Sequence, residues 1–118
     1  MTKAQPETAA GPIHRAMSIS AQLGDAWSIA EGLQAVANLC SLTDPETAAV
    51  LAGAADRLRE QISTLPHPAD AAINRDHLEH ARERIGPARF QTAWAEGREA
   101  SLESLVTIAL TAANASAG

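Results

Sequence analysis

The chain has 118 residues, enough for one domain whose core needs neither disulfides nor a structural metal. Its hydrophobic fraction is 46%, yet aromatics reach only 3% and tyrosine is absent, so alanine and leucine must fill the interior. A net charge of −5 with a single lysine argues against non-specific nucleic-acid binding, and the lone Cys40 excludes an internal disulfide.

No apolar run is long enough to span a bilayer, and no basic start with an apolar centre marks a signal peptide. The expected location is cytoplasmic. Alanine has the highest helix propensity and lets helices approach closely, and no segment alternates β-branched and aromatic residues between turns. The expected class is all-α.

Residues 1–11 are small, polar and broken by proline, and are read as a flexible tail. A first helix is expected from Pro12 to Leu23, with Ile13, Ala16, Met17, Ser20 and Leu23 on one side. Gly24 and Asp25 suit a helix stop and the cap of the next helix, and Trp27 falls in that connection.

The stretch from Ile29 to Ile62 organises the rest as a helical hairpin. Ile29, Leu33, Val36 and Cys40 recur at helical spacing on one face, as do Ala48, Leu51, Ala52, Ala55, Leu58 and Ile62 in the second helix. Between them lies Thr43-Asp44-Pro45, where Asp44 is the expected cap and Pro45 the first helical residue.

Residues 63–70, with two prolines, form a loop, and a helix follows from about Ala69 to Ile85. Its inner positions are Ala71, Ile73 or Asn74, Leu78, Ala81 and Ile85, and an Arg75–Glu79 pair is expected on its outer face. Gly86-Pro87 ends that helix and opens another, Pro87 to Arg98, with Phe90, Ala93, Trp94 and Gly97 inward. Ser101 caps a last helix carrying Leu102, Leu105, Val106 and Ala109, and residues 113–118 are read as a frayed tail. Residues 12–112 thus make one helical-repeat domain of about six helices in an antiparallel array. Its two hairpin turns lie 42 positions apart, longer than the ~34-residue tetratricopeptide period; the proline-rich insert accounts for the excess.

Four segments carry a resemblance: AEGL (Ala30–Leu33), DPETAAVLAGAADRLRE (Asp44–Glu60), IGPARFQTAWAEGREASLE (Ile85–Glu103) and LVTIAL (Leu105–Leu110). Together, from Ile29 to Leu110, they resemble the tetratricopeptide-like C-terminal region of bacterial LuxR-family ATPase regulators, including actinobacterial ones joined to a nucleotide cyclase. The resemblance implies an interaction or sensing module. There is no G-x-x-x-x-G-K-[ST] loop to cradle phosphates and no room after Leu110 for a DNA-binding helix pair, so neither ATP hydrolysis nor DNA binding carries over. The expectation is the end of a repeat array, either as a short reading frame or as an excised piece.

Each unit of such an array leaves an apolar face for its neighbour. Ile13, Met17 and Ile19, with Trp27, are therefore the expected partner-binding residues, and a homodimer or a partner helix is expected there. Leu78, Phe90 and Trp94 are the expected lining of an alternative small-molecule pocket between the hairpins.

Other reactive side chains have simpler readings. His67, His77 and His80, with Asp76, Glu79 and Glu83, have ligand-type side chains, but a solvated helix face explains them better and no HExxH accompanies them. Cys40 reads as a small buried hydrophobe, and the charges at Glu96, Arg98, Glu99 and Glu103 as a solvated helix end. No catalytic residue, cofactor or metal is assigned, and the chain is expected not to be an enzyme.

Overall fold

A computed structural model of the chain describes residues 26–117. Among them it is all-helical: α1 (Ala26–Leu39), α2 (Pro45–Gln61), α3 (Pro68–Ile85), α4 (Pro87–Glu99) and α5 (Leu102–Ala117). The helix expected over Pro12–Leu23, with Ile13, Met17 and Ile19, lies outside the described residues.

Local chemistry sets the boundaries. The Asp44 carboxylate accepts from the Thr47 amide at 3.3 Å and from the Thr47 hydroxyl at 2.7 Å, satisfying an amide that has no helical acceptor. Pro45, Pro68 and Pro87 each occupy the first helical turn, where a missing N–H costs nothing. His67 caps α3 by accepting from the Ala69 amide at 3.2 Å, and Ser101 caps α5 by accepting from the Ser104 amide at 3.2 Å. Gly86, at φ 88° and ψ 151°, is both the end of α3 and the cap of α4.

Helix α2 is the centre of the molecule and touches all four of the others. Ala48, Ala49, Leu51, Ala52, Gly53, Ala54 and Ala55 are all buried, so its middle turns have no solvent face. Ile29, Leu33, Val36 and Cys40 of α1 pack against it as their spacing predicts. Burying a side chain such as Leu33 or Leu51 stabilises by roughly 1.5–3 kcal/mol. Helix α5 covers α1 and α2 with Leu105, Ala109 and Ala113, spaced four apart.

Helix α4 packs chiefly on α2 and much less on α3, its neighbour in sequence. Gly53 and Gly97 explain this preference. A methyl group built on Gly97 would lie 2.7 Å from the carbonyl carbon of Val50, and one on Gly53 would lie 3.0 Å from that of Trp94. Two backbones meet here with no side chain between them. Helices α3 and α4, less closely packed, leave a groove between them.

Several inward assignments change. Ile62 is 39% exposed because α2 ends at Gln61 and the chain turns away through Ser63, at φ 54°. Leu102 is exposed as the first residue of α5. Of the Ile73/Asn74 alternatives, Asn74 faces inward and Ile73 is exposed. Glu79 lies 3.9 Å from Arg82 rather than pairing with Arg75. The last helix continues to Ala117, through the stretch expected to fray, because Ala113 is buried against the core and the alanines beyond it favour helix.

Candidate functional site

The angle between α3 and α4 forms a groove of about 440 Å³. One wall is Arg75, Leu78, Glu79 and Arg82, the other Pro87, Phe90, Gln91 and Trp94. Each set follows the i, i+3, i+4, i+7 spacing of a single helix face. Phe90 and Trp94 stack with ring centroids 6.0 Å apart and planes at 26°. Leu78, Phe90 and Trp94, singled out from the sequence, thus lie along one groove, each half-buried. Arg75 stands at its rim with no ion-pair partner among the described residues.

A polar chain runs behind α3. Arg59 donates from Nη1 to Gln34 Oε1 at 3.1 Å, Gln34 Nε2 donates to Asn38 Oδ1 at 3.2 Å, and Asn38 Nδ2 donates to Asn74 Oδ1 at 2.8 Å. Nearby, Ser41 Oγ lies 3.0 Å from the Asn38 carbonyl oxygen and 3.2 Å from His77 Nδ1. These bonds tie α1 to α2 and α3.

At one end of the chain is a cavity of about 180 Å³, lined by Gln34, Ala52, Asp56, Arg59, Pro66, Ala71, Asn74, Arg75, Leu78 and Trp94. Arg59 is only 6% exposed, and its Nε and Nη2 have no hydrogen-bond acceptor. Its nearest carboxylate is Glu31 Oε2, 3.5 Å from Nη2. A buried donor left unpaired costs about 1–3 kcal/mol, and more when it is charged.

Sequence reasoning passed over this arginine. One signal was present: Arg59 follows Ala52 and Ala55 at helical spacing, seven and four residues on, so it sits on the buried stripe of α2.

The remaining candidates stay apart. Trp27 is 52% exposed in the first turn of α1, distant in sequence from the groove residues. Among the described residues no three of His, Cys, Asp and Glu come together as a metal-binding group. Cys40 is buried, and its thiol is pushed up to about 11, first by burial and then by the charge of Asp44. Arg98 leaves the acidic residues near it in sequence and reaches across to α2, at 2.8 Å from Asp56 and 2.6 Å from Glu60. No described helix is long and apolar enough to cross a membrane.

Comparison with protein-family models, with curated proteins and with solved structures finds no match.

Proposed function

We propose that this chain is a non-catalytic protein-interaction module, and that the groove between α3 and α4 receives an amphipathic helix from a partner protein. The observation that carries this reading is the Phe90–Trp94 stack on one wall of the groove, with Leu78 on the other. Partly exposed aromatics in a concave site are the usual anchors of a helix-in-groove interface. Arg75 favours an acidic residue one turn from the partner's apolar anchor, where the two charges would pair at the rim.

The resemblance to the end of a LuxR-family repeat array supports the same reading, because such arrays work by binding. A tetratricopeptide-like stacking of hairpins and a cytoplasmic homodimer through Ile13, Met17, Ile19 and Trp27 belong to the same proposal. A small-molecule sensor is the second reading, favoured by one observation: the groove's 440 Å³ falls within the ~300–1,000 Å³ typical of ligand pockets.

Selection of helical peptides from a displayed library against the immobilised chain tests the first reading. Binders with an apolar anchor and a flanking acid, lost on Phe90→Ser and on Arg75→Glu, are the expected result. Peptides indifferent to both substitutions, with helicity unchanged by circular dichroism, would overturn it. Apolar fragments that shift the Phe90 and Trp94 ring resonances while no peptide binds would favour the sensor.

A further inference from the structure

We propose that the cavity between α1, α2, α3 and α4 binds a small carboxylate with a short apolar tail, held by the Nε–Nη2 edge of Arg59 once the Glu31 carboxylate moves off it. This site adjoins the helix-binding groove and shares Arg75, Leu78 and Trp94 with it, but Arg59 and Ala71 belong to the cavity alone.

The chemistry lies in which nitrogens are unused. In a planar guanidinium, Nε–H and one Nη2–H point the same way and form a side-on fork. Those are the two nitrogens of Arg59 without an acceptor, while Nη1 is spent on Gln34. The spacing of that fork matches the two oxygens of a carboxylate, which it engages through parallel charge-assisted bonds. The residue is more than nine-tenths buried, so bulk water does not solvate the fork as it would a surface arginine.

The rest of the cavity suits such a guest. Asn74 and Arg75 add polar and positive groups to the cavity lining, and the Asp56 carboxylate, which also lines the cavity, is engaged by Arg98 at 2.8 Å. Leu78, Trp94 and Ala71 supply apolar wall for a tail. At about 180 Å³ the space is smaller than the ~300–1,000 Å³ of drug-sized sites, which limits the guest to a small acid. Glu31, 3.5 Å from Nη2 and 37% exposed at its side chain, is the internal competitor that the guest displaces.

Trp94 lines the cavity and the only other tryptophan, Trp27, is at the surface, so the full chain carrying Trp27→Phe reports on the site by fluorescence. Titration with sodium butanoate is expected to change Trp94 emission saturably, with a dissociation constant of about 1 mM or tighter. Butanamide, neutral and of similar shape, is expected to give no saturation, and inorganic phosphate to bind more weakly than butanoate.

Arg59→Lys keeps the charge but loses the fork, and is expected to weaken butanoate binding about tenfold or more. Ala71→Leu fills the cavity without touching Arg59 and is expected to abolish binding, with helicity retained. Glu31→Gln, which removes the competitor, is expected to tighten it. No saturation at tenfold higher butanoate, equal binding of butanamide or of phosphate, full binding by folded Ala71→Leu, or weaker binding by Glu31→Gln would each overturn the proposal.

Discussion

Gly97 of α4 sits directly against the backbone of Val50 in α2, so closely that a methyl group there would overlap the Val50 carbonyl. Gly53 of α2 repeats the relationship against Trp94 of α4. Local propensity and packing therefore predict opposite signs for one substitution. In a free helix, glycine to alanine stabilises by about 0.8–1.0 kcal/mol. Here the obstructing atoms are backbone, which cannot rotate away, and overpacking typically costs about 1–3 kcal/mol. Gly97→Ala and Gly53→Ala are each expected to be less stable than the parent in urea unfolding. A rise in the midpoint for either would mean that α2 and α4 do not meet as described.

Gly86 makes a different case, since a side chain there would meet nothing within 4 Å. Its φ of 88° with ψ 151° belongs to a backbone region that only glycine occupies readily. Gly86→Ala is expected to lose about 1–3 kcal/mol through backbone strain alone. The same turn sets the angle between α3 and α4, so the Phe90 and Trp94 ring resonances should shift with it. Urea midpoints and aromatic NMR spectra check the two effects separately.

Helix ends were the most legible part of the chain, because their signals are local. Asp44-Pro45, Gly86-Pro87 and Ser101 each act within a few residues of where they stand. The apolar stripe of α1 was equally plain, since four residues at helical spacing need only one covering surface. What escaped was chosen by distant partners. Nothing near Gly53 announces Trp94, and nothing near α4 announces that its main neighbour is α2 rather than α3. Arginine at position 59 reads as solvated until Gln34 and Glu31 of α1 are seen beside it. Ile62 and Leu102 kept the right periodicity but fell beyond or at a helix end, where the face no longer has a neighbour. Leu78, Phe90 and Trp94 were identified by size and spacing, but that they line one groove is set by how two separate helices come together.

The Asn38–Asn74 bond, at 2.8 Å, is the link by which the polar chain reaches α3. Asn38 also accepts from Gln34 at 3.2 Å, so its removal strands partners on both sides. Asn38→Leu is expected to cost about 1–3 kcal/mol, the penalty for leaving partly buried polar groups unpaired. Asn74→Leu should cost less, because it strands only one group. In a double-mutant cycle the two losses should fall short of adding, with a coupling of about 0.5–1.5 kcal/mol. Strict additivity would show that the two amides act independently.

Cys40 makes stability depend on alkaline pH, and the sign follows from its environment. Burial, then the charge of Asp44, raises the thiol from 9.0 to about 11 in the folded chain. Between those values the unfolded state has lost its proton while the folded state still holds one. Stability is therefore unaffected well below pH 9, falls as pH rises from there, and levels off above about 11. The full loss is roughly 2–3 kcal/mol, since each tenfold difference in proton affinity between the two states is worth about 1.4 kcal/mol. Few other groups obscure this window, because the chain has no tyrosine and one lysine, Lys3. Cys40→Ala should lose some stability near pH 8 through the missing sulfur, but its curve should stay flatter between pH 9 and 11. Urea unfolding of both chains at about pH 8 and about pH 10.5 measures the difference, and parallel pH dependences would mean that Cys40 ionises as freely as an exposed thiol.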